Sequence, residues 1–112
     1  MSLGKMRYRM TIQRNDATRT KGVKQADDWQ DVETVYAELR PLSARELRIA
    51  EQNREIVTHE VKMRYRDDLG APNTEVLPRY RLALSGRSFD VRSVENVDFR
   101  NRTTRLRVEE RV

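Results

Sequence analysis

Apolar and polar residues alternate along most of this chain, and a period of two marks strands with one buried and one wet face. Over residues 6–14, Met6, Tyr8, Met10 and Ile12 alternate with Arg7, Arg9, Thr11 and Gln13, which predicts a half-buried strand. A second strand is predicted over 32–40, with Val35, Ala37 and Leu39 on one face and Tyr36 and Glu38 on the other. Pro41, which cannot donate to a ladder, ends it. The clearest alternation covers 57–66, with Val57, His59, Val61, Met63 and Tyr65 inward and Thr58, Glu60, Lys62, Arg64 and Arg66 outward. A fourth strand over 79–84 turns Tyr80, Leu82 and Leu84 inward, and Ser85-Gly86-Arg87 supplies the tight turn after it, since glycine tolerates the positive φ of hairpins. The return strand carries Phe89 and Val91 to about Val94. After a turn over 96–102, the last strand carries Leu106 and Val108 inward against Arg105, Arg107 and Glu109 outward.

One stretch breaks the period. Ser43 and Glu46 have the spacing of a capping box, the hydroxyl taking one free amide of a first helical turn and the carboxylate another. A helix is predicted from there to about Arg54. Its apolar residues Ala44, Leu47, Ile49 and Ala50 form a narrow stripe, so it covers an edge or barrel end rather than making a core. Two connections, 15–30 and 67–78, show no period and are long for links inside a small domain. Short antiparallel strands must close or stack to hide their apolar faces. The expected fold is mainly β, a small six-stranded antiparallel barrel or sandwich with one inserted short α-helix. A length of 112 residues fits one domain, 1–112, with Met1, Ser2 and Leu3 read as a vector-derived extension.

Composition thins the core. Hydrophobic residues make up 37% of the chain and charged residues another 37%, so a charged exterior surrounds a small interior. There are no cysteines, which excludes disulfides, thiolate metal sites and thiol redox chemistry. No apolar run approaches the roughly 20 residues that cross a bilayer, and no membrane role is expected. The net charge of +5 divides unevenly: residues 1–25 carry +6, residues 26–60 carry −5 and residues 61–112 carry +4. Segments of opposite sign suit contacts between copies of one subunit, whereas a nucleic-acid binder concentrates its basic residues on one surface.

Candidate chemistry is sparse. His59, the only histidine, lies mid-strand on the apolar face and reads as a packing residue, leaving no catalytic triad to assemble. The four glycines form no phosphate-cradling loop. Asp27, Asp28 and Asp31 lack the spacing of a calcium loop, and Asp67-Asp68 ahead of Leu69-Gly70 reads as turn chemistry. No enzyme activity, cofactor, metal or small-molecule substrate is expected. Nineteen of the 23 basic residues are arginine, which suits pairing with carboxylate or phosphate. Outward pairs Arg7 and Arg9, Arg64 and Arg66, and Arg105 and Arg107 fit subunit contacts, with a nucleic-acid-binding β-barrel as the alternative. That alternative also wants exposed aromatic platforms, and most of the aromatics sit at inward positions. Trp29, just before the second strand, reads either as core cap or as interface anchor, core packing being favoured.

The order and spacing of several segments resemble the head-tail joining family of long-tailed phages and prophages, the head-completion or stopper proteins. They are Arg7-Tyr8-Arg9-Met10-Thr11-Ile12-Gln13, then Trp29 ahead of Val35-Tyr36-Ala37-Glu38-Leu39-Arg40-Pro41-Leu42-Ser43-Ala44-Arg45-Glu46. They continue with Ala50-Glu51-Gln52, His59-Glu60-Val61-Lys62-Met63-Arg64-Tyr65-Arg66, Ser85-Gly86-Arg87-Ser88-Phe89-Asp90-Val91 and Val94-Glu95-Asn96-Val97-Asp98. The resemblance implies a β-barrel with an inserted helix, built into an oligomeric ring of the virion connector in the bacterial host cytoplasm. It implies a portal or adaptor ring and tail proteins as partners, besides copies of the chain itself, and non-specific contact with packaged DNA. Expected subunit contacts are Arg7, Arg9, Trp29, Glu51, Arg64, Arg66, Arg105 and Arg107. The resemblance gives the two long loops, with Asp27, Asp28, Asp67, Asp68 and Asn73, the tasks of facing the channel and meeting a neighbouring ring. The 67–78 connection is longer than the turn such a family would carry there.

Overall fold

The alternating residues hide their apolar faces by closing one sheet on itself. The computed structural model describes residues 7–15, 28–69 and 79–111; Met6, Asp27 and Asn73 lie outside them. The strands are β1 (Tyr8–Asn15), β2 (Trp29–Pro41), β3 (His59–Arg64), β4 (Arg79–Leu84), β5 (Arg87–Asn96) and β6 (Thr103–Arg111). A helix α1 (Ala44–Gln52) joins β2 to β3, and a 3-10 turn (Val97–Phe99) joins β5 to β6. All pairings are antiparallel, in the order β1-β2-β3-β6-β5-β4, and β4 returns to β1 to close a barrel. Of the two expected architectures, the barrel is the one formed.

The interior holds Met10, Ile12, Ala37, Val61, Met63, Leu82, Phe89, Val91, Leu106 and Val108, with Val35, Leu39, Tyr80, Leu84 and Val94 packed around them. These are the residues the alternation turns inward, with instructive exceptions. On β5, Val91 faces Val108 while Ser93 faces Arg107, so Arg92 is an extra residue. This bulge shifts the inward phase from Phe89 and Val91 to Val94. Tyr8, expected inside, is exposed, because β1 meets β4 only from Thr11 onward and Tyr8 stands beyond the closed part of the barrel. Tyr65 and Arg66 lie past the end of β3, although the Tyr65 amide still donates to the Arg102 carbonyl at 3.1 Å. Leu69, from the following loop, is buried in the core and closes one barrel end.

Ser43 caps α1 as its spacing predicts: its hydroxyl accepts the Glu46 amide at 3.2 Å, and the Glu46 carboxylate accepts the Ser43 amide at 3.1 Å. The helix stops at Gln52, two residues short of the expected end, and Arg54 follows with a left-handed φ of 57°. Only Ala50 of the apolar stripe is buried. It packs with Leu42 and Val57 in a separate small cluster, so Val57 serves the helix rather than the barrel core. Ser85 and Gly86, with φ of 46° and 83°, form the two-residue turn between β4 and β5.

The register divides the connections between two rims. Asn15 pairs with Trp29 on one side and Arg79 on the other, so both long connections leave the barrel side by side. Arg64 pairs with Thr103 toward the same rim, which the β5–β6 turn shares. Residue 7, α1 and the β4–β5 turn occupy the opposite rim. Buried polar groups fasten the loop rim: Asn15 Oδ1 accepts the Asp28 amide at 3.2 Å, and Thr104 Oγ1 accepts the Arg66 amide at 2.9 Å.

Candidate functional site

His59 stands edge-on to Phe89 with ring centroids 5.4 Å apart, and burial pushes its imidazole below the ordinary histidine value. Its Nδ1 lies 2.8 Å from the Thr58 hydroxyl. That hydroxyl already accepts the Glu110 amide at 2.8 Å, which ties it to β6 rather than presenting it as a nucleophile. Among the described residues no three His, Cys, Asp or Glu side chains gather as a metal site would require.

Of the expected contact residues, Arg66, Arg105 and Arg107 form ion pairs with other described residues. Arg66 forks onto Asp68 at 2.7–3.0 Å and also pairs with Glu33, which holds the end of β3 to the start of β2. Arg105 binds Glu95 at 2.7 Å and approaches Glu60 at 3.5 Å, and Arg107 meets Glu55 at 3.3 Å. Glu33, Glu55 and Glu60 belong to the acidic middle segment. Part of the charge asymmetry read from the sequence is thus satisfied inside one subunit. Arg9 lies opposite Tyr36 on exposed strand, while Arg7 precedes β1. Arg64 and Glu51 are exposed and form no ion pair among the described residues. The eight residues do not converge; they are distributed over both rims and the barrel wall.

Trp29 departs from the favoured core reading. It is half-buried on β2, with the Arg81 guanidinium 4.2 Å and that of Arg79 5.9 Å from its ring centroid, so it packs on the barrel wall through cation–π contacts. Asp28 is exposed and accepts from the Gln30 amide group at 2.6 Å. Asp67 is exposed. Asp68 is held below the usual carboxylate range by Arg66, and its carbonyl accepts the Tyr80 hydroxyl at 3.2 Å.

Sequence reasoning missed three features. Glu60 sits on the outward phase of β3 yet is only 7% exposed, covered by Arg40 at 2.6 Å and by Arg105. Arg40 also grips Glu46 through two bonds of 2.7 and 3.0 Å, so one guanidinium staples α1 to β3. With the Ser43 cap, this holds Glu46 down to about 2. The second feature is a cleft of about 540 Å³ where β2 and β3 diverge beyond the Ala37–Met63 pair. The third is a set of exposed aromatics, Tyr8, Tyr36 and above all Phe99, which is 92% exposed in a turn. Of these only Tyr8 is expected inward; Tyr36 lies on the outer face of β2 as the alternation places it, and Phe99 lies in the expected turn. For Phe99 a signal existed, since Asn96, Asp98 and Asn101 mark the stretch as turn and leave its aromatic nowhere to bury.

This collection of charged forks, an apolar cleft and exposed rings can hold other molecules. A family model described as phage head completion protein matches residues 1–111. The solution structure of a protein from Shigella flexneri 2a is similar in fold, with a TM-score of 0.70 and 23% identity over 98% of this chain and 96% of that one. A comparison with curated proteins finds no match.

Proposed function

The chain belongs to the phage head completion protein family, and from that premise we propose that it is a non-catalytic ring component of the head–tail connector, closing the channel over packaged DNA and offering the tail a docking face. The family match over residues 1–111 carries this reading. A head-completion role makes the protein a component of the virion that meets other head and tail proteins. Its finer partners are proposed to be a portal or adaptor ring on one side, tail proteins on the other and further copies of itself around the ring.

The geometry supports a ring part in two ways. Loops and helix occupy opposite rims, so two different partners can be met without competing for one surface. Exposed Arg64 and Glu51 lie on different elements, as a heterologous contact requires, where one face of each subunit meets another face of the next. Because both long connections leave one rim, the described Asp28, Asp67 and Asp68 are proposed to share a face that lines the channel or meets the adjoining ring. The arginines left to solvent give the packaged DNA a non-specific electrostatic contact.

Co-sedimentation tests the reading against the nucleic-acid-binding barrel. The purified chain should pellet with DNA-filled heads that carry a portal and adaptor, and should not pellet with naked DNA at the same salt. Pelleting with naked DNA and not with heads would contradict it.

A further inference from the structure

β2 outruns one of the two strands it pairs with. Residues 29–37 are paired with β1, whereas only residues 37–41 reach β3, so 29–36 carry a strand on one side alone among the described residues. The Leu42 amide donates to the Thr58 carbonyl at 3.0 Å, and backbone groups alternate sides along a strand. The same phase turns the N–H and C=O of Thr34 away from β1, toward the open side. An open row of backbone donors and acceptors is a template for a further strand.

The cleft of about 540 Å³ lies along this edge, and its lining has two characters. Val35 and Met63, both part of the barrel core packing, form an apolar base. Outward stand Tyr36, which is 62% exposed, and the exposed Arg64 on the facing wall. Arg9 is opposite Tyr36 on β1, so a tyrosine stands between two exposed arginines across the outer surface. Neither arginine has an ion pair among the described residues. Glu33, the one carboxylate among the described lining residues, is taken by Arg66. The cleft is left with an excess of positive charge.

We propose that the open edge of β2 takes up an extended acidic segment of another protein as an added strand, its apolar side chains on Val35 and Met63 and its carboxylates on Arg64 and Arg9. Side chains of a strand alternate between faces, so the cleft asks for apolar and acidic residues in alternation. That the segment comes from an adjoining head or tail protein rests on the connector reading above; the edge and its charge do not. DNA shares the negative charge, but its phosphates offer acceptors alone to an edge that also presents carbonyls, and it has no apolar side chain for the base of the cleft. The Glu33–Arg66 pair at the loop end is a weak barrier, since part-exposed pairs are worth little. An incoming carboxylate can replace Glu33 there while Asp68 keeps Arg66 in place.

The test uses a peptide of about eight residues, alternating Glu with Val or Leu, and the chain dilute enough that no second copy competes for Arg64. The peptide should protect the Thr34 amide from hydrogen exchange, read by NMR of the isotope-labelled chain. Arg64→Glu should weaken binding at least about tenfold, and Glu33→Gln, which removes the competing carboxylate, should strengthen it. Methylating alternate amides of the peptide, in one phase or the other, should abolish binding without touching its charge. The site is overturned if both methylated peptides bind as the parent does, if Arg64→Glu leaves the affinity unchanged, or if the Thr34 amide stays unprotected. A single-stranded oligonucleotide that protects this amide where the peptide does not overturns it in favour of nucleic acid. Pelleting with heads that carry a portal and adaptor separates the two levels. A chain that pellets with heads but ignores the peptide rejects this site and leaves head completion standing, whereas one that binds the peptide and ignores the heads keeps the edge and loses the connector reading.

Discussion

Glu60 shows how a carboxylate on the outer wall of a barrel comes to be buried. Its side chain is covered by Arg40 and Arg105, and a buried charge is tolerated only when paired. Arg40 is itself part-exposed and Arg105 remains as a second partner, so Arg40→Ala should cost about 1–2 kcal/mol rather than the larger loss of a fully buried pair, as measured by denaturant unfolding. The same guanidinium, together with the cap, lowers Glu46 from 4.5 to about 2. A lowered carboxyl contributes stability that is complete above its unfolded value and lost as pH falls through the folded one. Asp68 and Glu110, lowered by Arg66 and Arg87, carry the same sign. The thermal unfolding midpoint should therefore fall progressively between about pH 4.5 and 2, and Arg40→Gln should flatten part of that decline. The cross-strand partnerships are not legible along the chain, because Arg40 and Glu60, or Arg66 and Glu33, meet only when the strands pair.

Elements were more legible than contacts. Alternation locates all six strands because a half-buried sheet forces it, and Met10, Ile12, Ala37, Val61, Met63, Leu82, Phe89, Leu106 and Val108 are buried as it requires. It misplaces Tyr8 and Val57, since a period tells which face a residue shares and not whether the barrel is closed at that level. The bulge at Arg92 is invisible to it for a similar reason: a bulge is defined by its partner strand. The capping box was readable because its four residues are local. Ser43→Ala should remove about 1 kcal/mol of stability through the helix end alone, leaving the barrel strands intact by hydrogen exchange. The cleft and the exposed ring of Phe99 were out of reach except as an aromatic placed among turn residues.

At the scale of the molecule, two rims with different furniture on one closed barrel support the proposed stacking between partners and ring assembly. The charge blocks of the sequence remain relevant, although Glu33, Glu55 and Glu60 are neutralised within the subunit. In the proposed ring the exposed remainder is what a neighbour would meet, so Arg64→Glu or Glu51→Arg should weaken ring assembly and alter its salt dependence, read by sedimentation of assembled connectors. Unchanged assembly and unchanged salt dependence would remove charge from the account. The central claim is that this chain completes heads, and electron microscopy of particles from cells lacking it tests that claim most directly. Unjoined heads that have lost their DNA, alongside free tails, are the predicted result; joined, DNA-filled particles would contradict it.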